Sequence, residues 1–335
     1  MFFAVSTVRQ TRHLIRLGEC VGLGETPPGQ GLMHFFTAVF TWLLLGLLCA
    51  SGASAETYGA AGAEGASLRA QLWLVPSGDA AVPAHAMLFR PDGDGPFRLA
   101  VIAHASTQNV LRRAQMPQPD YKALAAFLVS RGFAVLVPER PGHGATGGPY
   151  LEDQGGCDEA DYARAGHATA EEIAAGLRFM RTQPFVQADR AVVIGHSAGG
   201  WGALALSQGD PHEIAAIIAF APGRGGHAND RENEVCAPHT LLAAAAAFGN
   251  ASRIPVTWLV AANDTYFSPE LSRRLAQAFH GGGGKVQFFV LPASGSEGHW
   301  MAETEAGVKV AEGALGHALQ ADVSMTAGKR AAKKP

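Results

Sequence analysis

Two runs of alternating apolar and polar residues stand near the start of the predicted folded region. The first covers 67–76 and the second 84–90, and a cluster of Pro, Gly and Asp follows each run. Period-two alternation bounded by turn-forming residues is typical of antiparallel strands, because successive side chains point to opposite faces of a sheet. The pattern therefore predicts a hairpin of two antiparallel edge strands.

After this hairpin the chain alternates short apolar runs with longer stretches of helical periodicity. Apolar runs rich in β-branched residues predict strands buried on both faces, and the stretches between them predict covering helices. The chain is thus predicted to be an α/β protein, with an eight-stranded, mostly parallel sheet, helices on both faces, and functional residues at the carboxyl ends of the strands. The six further strands are predicted at 99–104, 133–138, 191–195, 214–220, 255–261 and 286–291. The helices are predicted near 120–131, 168–182, 199–208, 237–248, 268–279 and 304–319.

The segment 191–201 carries the most specific chemical signal. It runs from a β-branched strand into a serine, Ser197, with Gly195 and Gly199 two positions away on either side. Such a strand-to-helix turn exposes the serine hydroxyl as a nucleophile, and it directs the amide of Ala198 towards a developing oxyanion. Because the chain contains 41 glycines, the bare pattern could also arise by chance. The strand before it and the predicted helix after it favour a nucleophile elbow.

A serine nucleophile requires a general base and a group that orients the base. Asp264 follows the predicted strand 255–261, and His299 lies in the loop after the last strand. The order Ser, Asp, His along the chain is the order of α/β-hydrolase triads. Taken alone, Asp264 could be a helix-capping or Asx-turn residue, and His299 is one of 13 histidines. The competing histidines do not follow the last strand: His143, His196 and His227.

At these residues the chain resembles the α/β-hydrolase family, and within it the dienelactone-hydrolase-like serine esterases. The resemblance covers about 67–319 and includes the strand and turn at 99–106 and the loop at 135–144. It implies a serine-hydrolase mechanism in which Ser106, or alternatively Ala105, supplies the second oxyanion amide. Dienelactone hydrolases carry a cysteine where this chain has its serine. The resemblance therefore implies the fold and the mechanism more securely than it implies a dienelactone substrate.

The substrate pocket is expected to be open. The inserts at 142–166 and 223–252 are short for a lid domain, so a small or medium carboxylic ester should have access. The loop at 135–144 usually shapes the pocket in this family. Alternatively, it could be a plain Pro/Gly turn in which Arg140 has no role in the pocket. Trp201 could equally pack in the core. The candidate pocket residues are His104, Arg140, Trp201, Tyr266 and Trp300.

The first 55 residues are predicted to be a targeting segment. An almost unbroken apolar run at 35–48 is followed by small residues and then Glu56, the pattern of a cleaved secretory signal peptide. Met33 directly precedes the apolar part and is a candidate for the true start. Two alternatives remain: lipidation at Cys49, and an uncleaved membrane anchor. We expect an exported protein, periplasmic or secreted, without a stable membrane span once the signal is removed.

The rest of the chain is predicted to form one catalytic domain. A flexible linker is expected at 56–66, the α/β-hydrolase domain at 67–320, and a disordered basic tail at 321–335. The composition, 47% hydrophobic and 16% charged, suits one large core. The strand and helix patterns are continuous and show no further linker, which favours a single domain. The net charge of −3 gives no electrostatic case for nucleic-acid binding.

Cysteine usage bears on both compartment and cofactors. Removal of the targeting segment leaves Cys157 and Cys236, which could form a disulfide over the pocket in an oxidising compartment or remain as two free thiols. No C-x-x-C or H-E-x-x-H motif indicates a metal site. The glycine run at 281–284 lacks the strand, turn and helix of a dinucleotide-binding motif. We therefore expect no metal and no cofactor.

The predicted activity is hydrolysis of small or medium carboxylic esters through an acyl-enzyme, with the small-molecule ester as the partner. A serine peptidase or amidase of prolyl-oligopeptidase type shares the catalytic order, although no propeller repeats precede this domain. A non-catalytic binding protein on the same fold is the alternative of a different class. The sequence gives no oligomeric state.

Overall fold

The computed structural model describes residues 58–331, with side chains described as far as residue 320. Within this range the strands form one nine-stranded sheet in the order β1-β2-β3-β5-β4-β6-β7-β8-β9. At one edge the pairs β1-β2, β2-β3 and β3-β5 are antiparallel. The remaining pairs, in the order β5-β4-β6-β7-β8-β9, are parallel. The strands are β1 (Gly59–Ala60), β2 (Gln71–Val75), β3 (Ala84–Phe89), β4 (Arg98–Ala103), β5 (Phe133–Pro138), β6 (Ala191–His196), β7 (Ile214–Phe220), β8 (Val256–Ala261) and β9 (Val286–Leu291).

The helices follow the strands as the sequence pattern predicts. Two short 3₁₀ segments, Ala228–Asp230 and Gly298–Glu303, lie in loops at the carboxyl edge of the sheet. Among the described residues, no helix is both long and apolar enough to cross a membrane. The helices are α1 (Val110–Ala114), α2 (Lys122–Val129), α3 (Tyr162–Met180), α4 (Ala198–Leu206), α5 (Pro238–Asn250), α6 (Pro269–Gly281) and α7 (Glu305–Ala331).

Both faces of the sheet are covered, which confirms the predicted α/β architecture. The central strands β5 to β8 are buried along their whole length, because helices remove both of their faces from water. One core cluster joins the sheet to α3, α4, α5 and α6, and the other joins it to α2 and α7. Burial of these apolar side chains is the main stabilising contribution in a domain of this kind.

The differences from the sequence prediction lie at the margins of the elements. Residues 58–66 are part of the sheet domain where a flexible linker is predicted, since β1 pairs with β2 and Glu64 forms an ion pair with Arg69 (2.7 Å). Helix α3 begins six residues early because the Asp161 side chain accepts a hydrogen bond from the amide of Arg164 (2.9 Å). The short helix α1 is not predicted at all.

The two ends of the chain are described only in part. Helix α7 carries helical backbone to Ala331, into the stretch predicted as a disordered tail. The targeting segment at 1–55, with Met33 and Cys49, lies outside the described residues, as do the last four residues.

Candidate active site

Ser197 occupies a strained turn between β6 and α4. Its backbone has φ 54° and ψ −117°, outside the regions that residues with a Cβ normally occupy. The flanking glycines make this turn sterically feasible. A Cβ on Gly195 would lie 2.5 Å from the carbonyl oxygen of Gly199, and a Cβ on Gly199 would collide with the carbonyl of Ala103. These features are those of a nucleophile elbow.

An imidazole and a carboxylate meet beside this elbow. Asp264, three residues after β8, accepts the Nδ1–H of His299 on its Oδ2 at 3.1 Å. Its Oδ1 accepts the amides of Tyr266 (2.9 Å) and Phe267 (2.8 Å), which hold the carboxylate in place. Because Nδ1 carries the proton, the Nε2 of His299 presents a lone pair. Burial lowers the pKa of His299 below its ordinary value, although Asp264 acts in the opposite direction.

The hydroxyl of Ser197 and the imidazole of His299 line one cavity of about 710 Å³. Both side chains are almost completely buried by the protein around them. In the part of the chain that the structure describes, the Ser197 Oγ has no hydrogen-bond partner. Catalytic hydrogen bonds are commonly long without substrate and shorten in the Michaelis complex.

The two backbone amides that the sequence assigns to an oxyanion have no protein acceptor among the described residues. They belong to Ala198, the first residue of α4, and to Ser106, in the turn after β4. The amide of Ala105, the alternative from the sequence, is different because it donates to the Tyr121 hydroxyl at 3.0 Å. That bond removes Ala105 as an oxyanion donor and leaves Ala198 and Ser106.

A hydrogen-bonded network behind the cavity connects the turn after β4, the elbow and the histidine loop. The Tyr121 hydroxyl lies 2.9 Å from His196 Nδ1 and 3.2 Å from a carboxylate oxygen of Glu303. His196 Nε2 lies 2.8 Å from the carbonyl oxygen of His299. His196, inside the elbow, therefore contacts the backbone of the loop that carries the base.

A buried ionic cluster supports the same edge of the sheet. The guanidinium of Arg140 contacts Glu152 with Nε to Oε1 at 2.5 Å, and Arg224 binds the other carboxylate oxygen. Thr169 on α3 also donates to that oxygen, at 3.0 Å. Burial alone would raise the pKa of Glu152, but the two arginines hold it well below its ordinary value. The carboxylate is therefore charged at neutral pH.

Comparisons with known proteins support the fold. The sequence matches the Prolyl oligopeptidase family over residues 119–223, which include the elbow. Among solved structures, an acylaminoacyl peptidase from Pyrococcus horikoshii superposes with a TM-score of 0.50 at 15% identity, covering 81% of this chain and 41% of that one. The chain has the α/β-hydrolase fold.

Two further solved structures are similar to this chain. A cold-adapted esterase from an Arctic intertidal metagenomic library has a TM-score of 0.48 at 16% identity, over 73% of this chain and 94% of that one. A puromycin-hydrolyzing peptidase from Mycobacterium tuberculosis has a TM-score of 0.48 at 16% identity, over 72% and 38%. The chain thus spans about two-fifths of each of the two peptidases. A search among curated proteins gives no match.

The structure separates the five candidate pocket residues into two groups. His104, Tyr266 and Trp300 line the cavity. Arg140 and Trp201 are not among its lining residues, which corrects the sequence prediction. The charge of Arg140 is satisfied in the ionic cluster, and Trp201 is fully buried, with its Nε1 donating to the carbonyl of Tyr162 at 2.8 Å.

Several residues at the site are absent from the sequence prediction. Tyr121, Arg224 and Glu303 line the cavity, and Glu152 braces it. Each is a single polar residue in a loop or at a helix end, with no motif around it that indicates burial. The one signal in the sequence is that most of these residues lie in loops after β4, β7 and β9, which converge at the carboxyl edge of the sheet.

The cavity also contacts a disulfide. Cys157 and Cys236 are bonded, which confirms the predicted pairing, and Cys236 belongs to the cavity wall. The Tyr162 hydroxyl donates to the carbonyl of Cys236 at 2.5 Å. Between residues 58 and 320, no group of three or more His, Cys, Asp or Glu side chains is arranged to hold a metal ion.

Proposed function

We propose that this α/β-hydrolase is a serine esterase that cleaves small or medium carboxylic esters through an acyl-enzyme. The observation that carries the proposal is the shared cavity, where a strained serine at an elbow meets an imidazole already bonded to a buried carboxylate. A structural role for the strain at Ser197 is a poor explanation, because strained backbone of this kind concentrates at functional sites.

In the acylation step, Ser197 Oγ attacks the ester carbonyl carbon while His299 Nε2 takes its proton. The carbonyl oxygen becomes an oxyanion and accepts the amides of Ala198 and Ser106. Asp264 keeps the proton on Nδ1 and stabilises the imidazolium. The imidazolium then protonates the leaving alcohol as the carbon–oxygen bond breaks, which leaves an acyl group on Ser197.

In the deacylation step, water replaces the alcohol. His299 Nε2 takes a proton from water as the water oxygen attacks the acyl carbon, and the same two amides hold the second oxyanion. The proton passes from His299 to Ser197 Oγ as the acid leaves. Each step requires a neutral imidazole at its start, and the depressed pKa of His299 provides this at neutral pH.

The cavity supports an ester of moderate size with polar groups. A volume of about 710 Å³ lies within the range of small-molecule sites. Its wall combines aromatic side chains with amide and charged groups. Its polar side chains include Gln108, Asn109, Arg112, Gln118, Gln154 and Asn229.

A peptidase or amidase activity is the second candidate. The observation in its favour is the match to the Prolyl oligopeptidase family over 119–223. That match includes Ser197 but ends before Asp264 and His299, so it does not cover the complete catalytic set. Ester and amide substrates therefore have to be compared directly.

Labelling with a fluorophosphonate probe tests the proposed nucleophile. We expect labelling of the wild-type protein and none of Ser197→Ala, whose turnover of an ester should fall about 10⁶-fold. Ser130→Ala, an exposed serine outside the site, is the matched control and should behave like the wild type. Equal ester hydrolysis by wild type and Ser197→Ala would refute the proposal.

A substrate panel then separates the two activities. Nitrophenyl esters from acetate to laurate should show the highest kcat/KM at short or medium acyl chains, because the cavity is limited in volume. Aminoacyl nitroanilides should be hydrolysed far more slowly. A higher kcat/KM on the anilides than on every ester would favour the peptidase instead.

We further propose that the protein is exported. The disulfide between Cys157 and Cys236 supports this, since such bonds persist in oxidising compartments. The apolar run at 35–48 and the small residues before Glu56 support a cleaved signal peptide. N-terminal sequencing of protein from the periplasm or medium should give Glu56 first. A mature protein that retains 35–48 would contradict cleavage.

A further inference from the structure

Three aromatic rings form a continuous stack that ends on the imidazole of His299. The Tyr266 ring lies face to face with this imidazole, with centroids 4.3 Å apart and planes inclined by 20°. On its other face, Tyr266 stacks on His227 with centroids 3.5 Å apart and planes inclined by 13°. The proposed base is thus one outer member of a three-ring stack in the cavity wall.

Other rings around His299 do not present a parallel face to it. Trp300 stands edge-on, with planes inclined by 83° at a centroid distance of 5.2 Å. Phe267 and His196 are tilted by 53° and 48° at 5.6 Å and 5.0 Å. Among the described residues, Tyr266 is therefore the ring whose plane lies closest to parallel with that of the imidazole.

The face of an aromatic ring attracts a cation because the π-system is electron-rich above and below the ring plane. His299 becomes a cation in both chemical steps of the proposed function. Asp264 stabilises that cation in the plane of the imidazole, at Nδ1. The Tyr266 ring is placed to stabilise it from the perpendicular direction, which the carboxylate does not reach.

On the basis of the proposed function, we propose that Tyr266 is a positioning residue whose ring face fixes the plane of the His299 imidazole and favours its protonated form in the transition states. His227 supports this arrangement by covering the opposite face of Tyr266. The backbone amide of Tyr266 bonds to Asp264 whatever its side chain is, so the ring can be replaced without removing that bond.

The position of His227 is itself fixed by a hydrogen bond. Its Nε2 lies 2.9 Å from the hydroxyl oxygen of Thr265. That hydroxyl donates its own proton to Glu297, so it accepts a proton from His227 Nε2. Glu297 also accepts the amide of His299 at 2.9 Å. One carboxylate therefore anchors both ends of the stack.

The charged and titratable groups that face His299 come from four parts of the chain: the loops after β8 and β9, strand β6, and the 3₁₀ segment Gly298–Glu303. Asp264 and Glu297 favour the imidazolium, and His196 disfavours it. Glu303 lies on the 3₁₀ segment that carries His299. Burial raises the pKa of the Tyr266 phenol, so it remains neutral where the enzyme works and acts through its ring, not through a charge. A substitution at Tyr266 changes none of the other groups.

The test is the pH dependence of kcat/KM, whose acidic limb reports the pKa of the free base. Tyr266→Phe keeps the ring and should leave the limb unchanged and kcat/KM within about twofold, since the phenol oxygen bonds no described residue. Tyr266→Leu removes the π face and should move the limb about 0.5 to 1 pH unit lower, with kcat reduced about five- to tenfold.

Pentafluorophenylalanine at position 266 is the shape-matched control for Tyr266→Phe. Fluorination withdraws electrons from the ring face, so this variant should move the limb to lower pH without opening a cavity. In a double-mutant cycle, His227→Leu should affect the limb only when residue 266 is aromatic.

The outcomes separate this inference from the proposed function. If the wild type does not react with fluorophosphonate at Ser197, the proposed function fails. If it reacts, but Tyr266→Leu and the fluorinated variant keep the wild-type limb, only the role of Tyr266 fails. A limb shifted to higher pH in Tyr266→Leu would mean that the ring acts by excluding water, which would also overturn the inference.

Discussion

At the scale of single residues, the proposed catalytic chemistry depends on the protonation state of one imidazole. His299 is about 1% exposed, and burial is the largest influence on its pKa. The bond to Asp264 opposes that influence but does not cancel it, since the pKa remains below the ordinary value of 6.5. The base is therefore neutral through the physiological range without any change in its surroundings.

This predicts the pH profile of the wild-type enzyme. Because the neutral form of His299 is the active base, kcat/KM should rise with pH through a midpoint below 6.5 and reach a plateau by about pH 7. Kinetics on one short-chain ester in buffers of constant ionic strength would measure the midpoint. An acidic limb centred above 6.5 would contradict the lowering of the His299 pKa by burial.

At the scale of elements, the central strands and the disulfide could be predicted from the sequence, but the details of the site could not. Strands such as β6 and β8 are mostly apolar, so the sequence alone predicts that they are buried. Strand β1 has two residues, and it forms only because β2 offers a free edge. The role of Arg140 was not predictable, since its partner Glu152 lies in a loop without a pattern.

The contact of α3 with the turn between β2 and β3 contains a buried carboxyl group that is only partly hydrogen-bonded. Glu172 accepts the amide of Gly78 at 2.9 Å, and its other oxygen is buried without a hydrogen-bond partner. Burial raises its pKa from 4.5 to about 7. In the unfolded chain the same group ionises near its ordinary value, so folding keeps a proton that the unfolded state releases.

This difference predicts that Glu172→Gln stabilises the protein at alkaline pH. The folded state binds more protons between pH 4.5 and about 7, so the wild-type free energy of unfolding should fall as pH rises through that window. At about pH 8, Glu172→Gln should raise it by about 1 to 3 kcal/mol, and near pH 4.5 by little. Urea denaturation would measure both values.

Glu171→Gln is the matched control for this prediction. Glu171 is the exposed neighbour of Glu172 on α3 and pairs with Arg178 at the surface. Surface pairs of this kind contribute little, so the control should change the free energy of unfolding by less than about 1 kcal/mol at either pH. Equal effects of the two substitutions would remove the argument from burial.

At the scale of the whole molecule, a covalent bond joins two long loops beside the cavity, since Cys236 belongs to the cavity wall. Cys157 lies between β5 and α3, and Cys236 lies between β7 and α5, 79 residues further along the chain. Closing so long a loop restricts the unfolded chain, which typically stabilises the folded state by about 2 to 4 kcal/mol.

Reduction should therefore destabilise the mature protein and leave thiols that can be counted. Thermal unfolding with a reductant should show a lower Tm than without it, while the double variant Cys157→Ser, Cys236→Ser should not respond to the reductant. Thiol titration of unfolded protein lacking residues 1–55 should find no free thiol before reduction. Two free thiols in protein recovered from the exported fraction would contradict the bond.

The same loops are joined a second time by buried charge, through a carboxylate that two guanidinium groups share. Arg140 follows β5, Arg224 follows β7, and Glu152 lies between them and contacts Thr169 on α3. All three charged side chains are at most 3% exposed. Removing the single negative charge would leave two guanidinium groups buried without a counter-charge, which costs more than the loss of an ordinary ion pair.

We therefore predict that Glu152→Gln lowers the free energy of unfolding by about 3 to 5 kcal/mol at neutral pH. Because Arg140 and Arg224 hold the pKa of Glu152 well below 4.5, its contribution is present above that pH and is lost as pH falls. The difference between wild type and variant should shrink on acidification, whereas Glu159→Gln, an exposed control, should change little. Urea denaturation at neutral and acidic pH would measure this, and a neutral-pH loss below about 1 kcal/mol would show that the cluster does not hold the loops together.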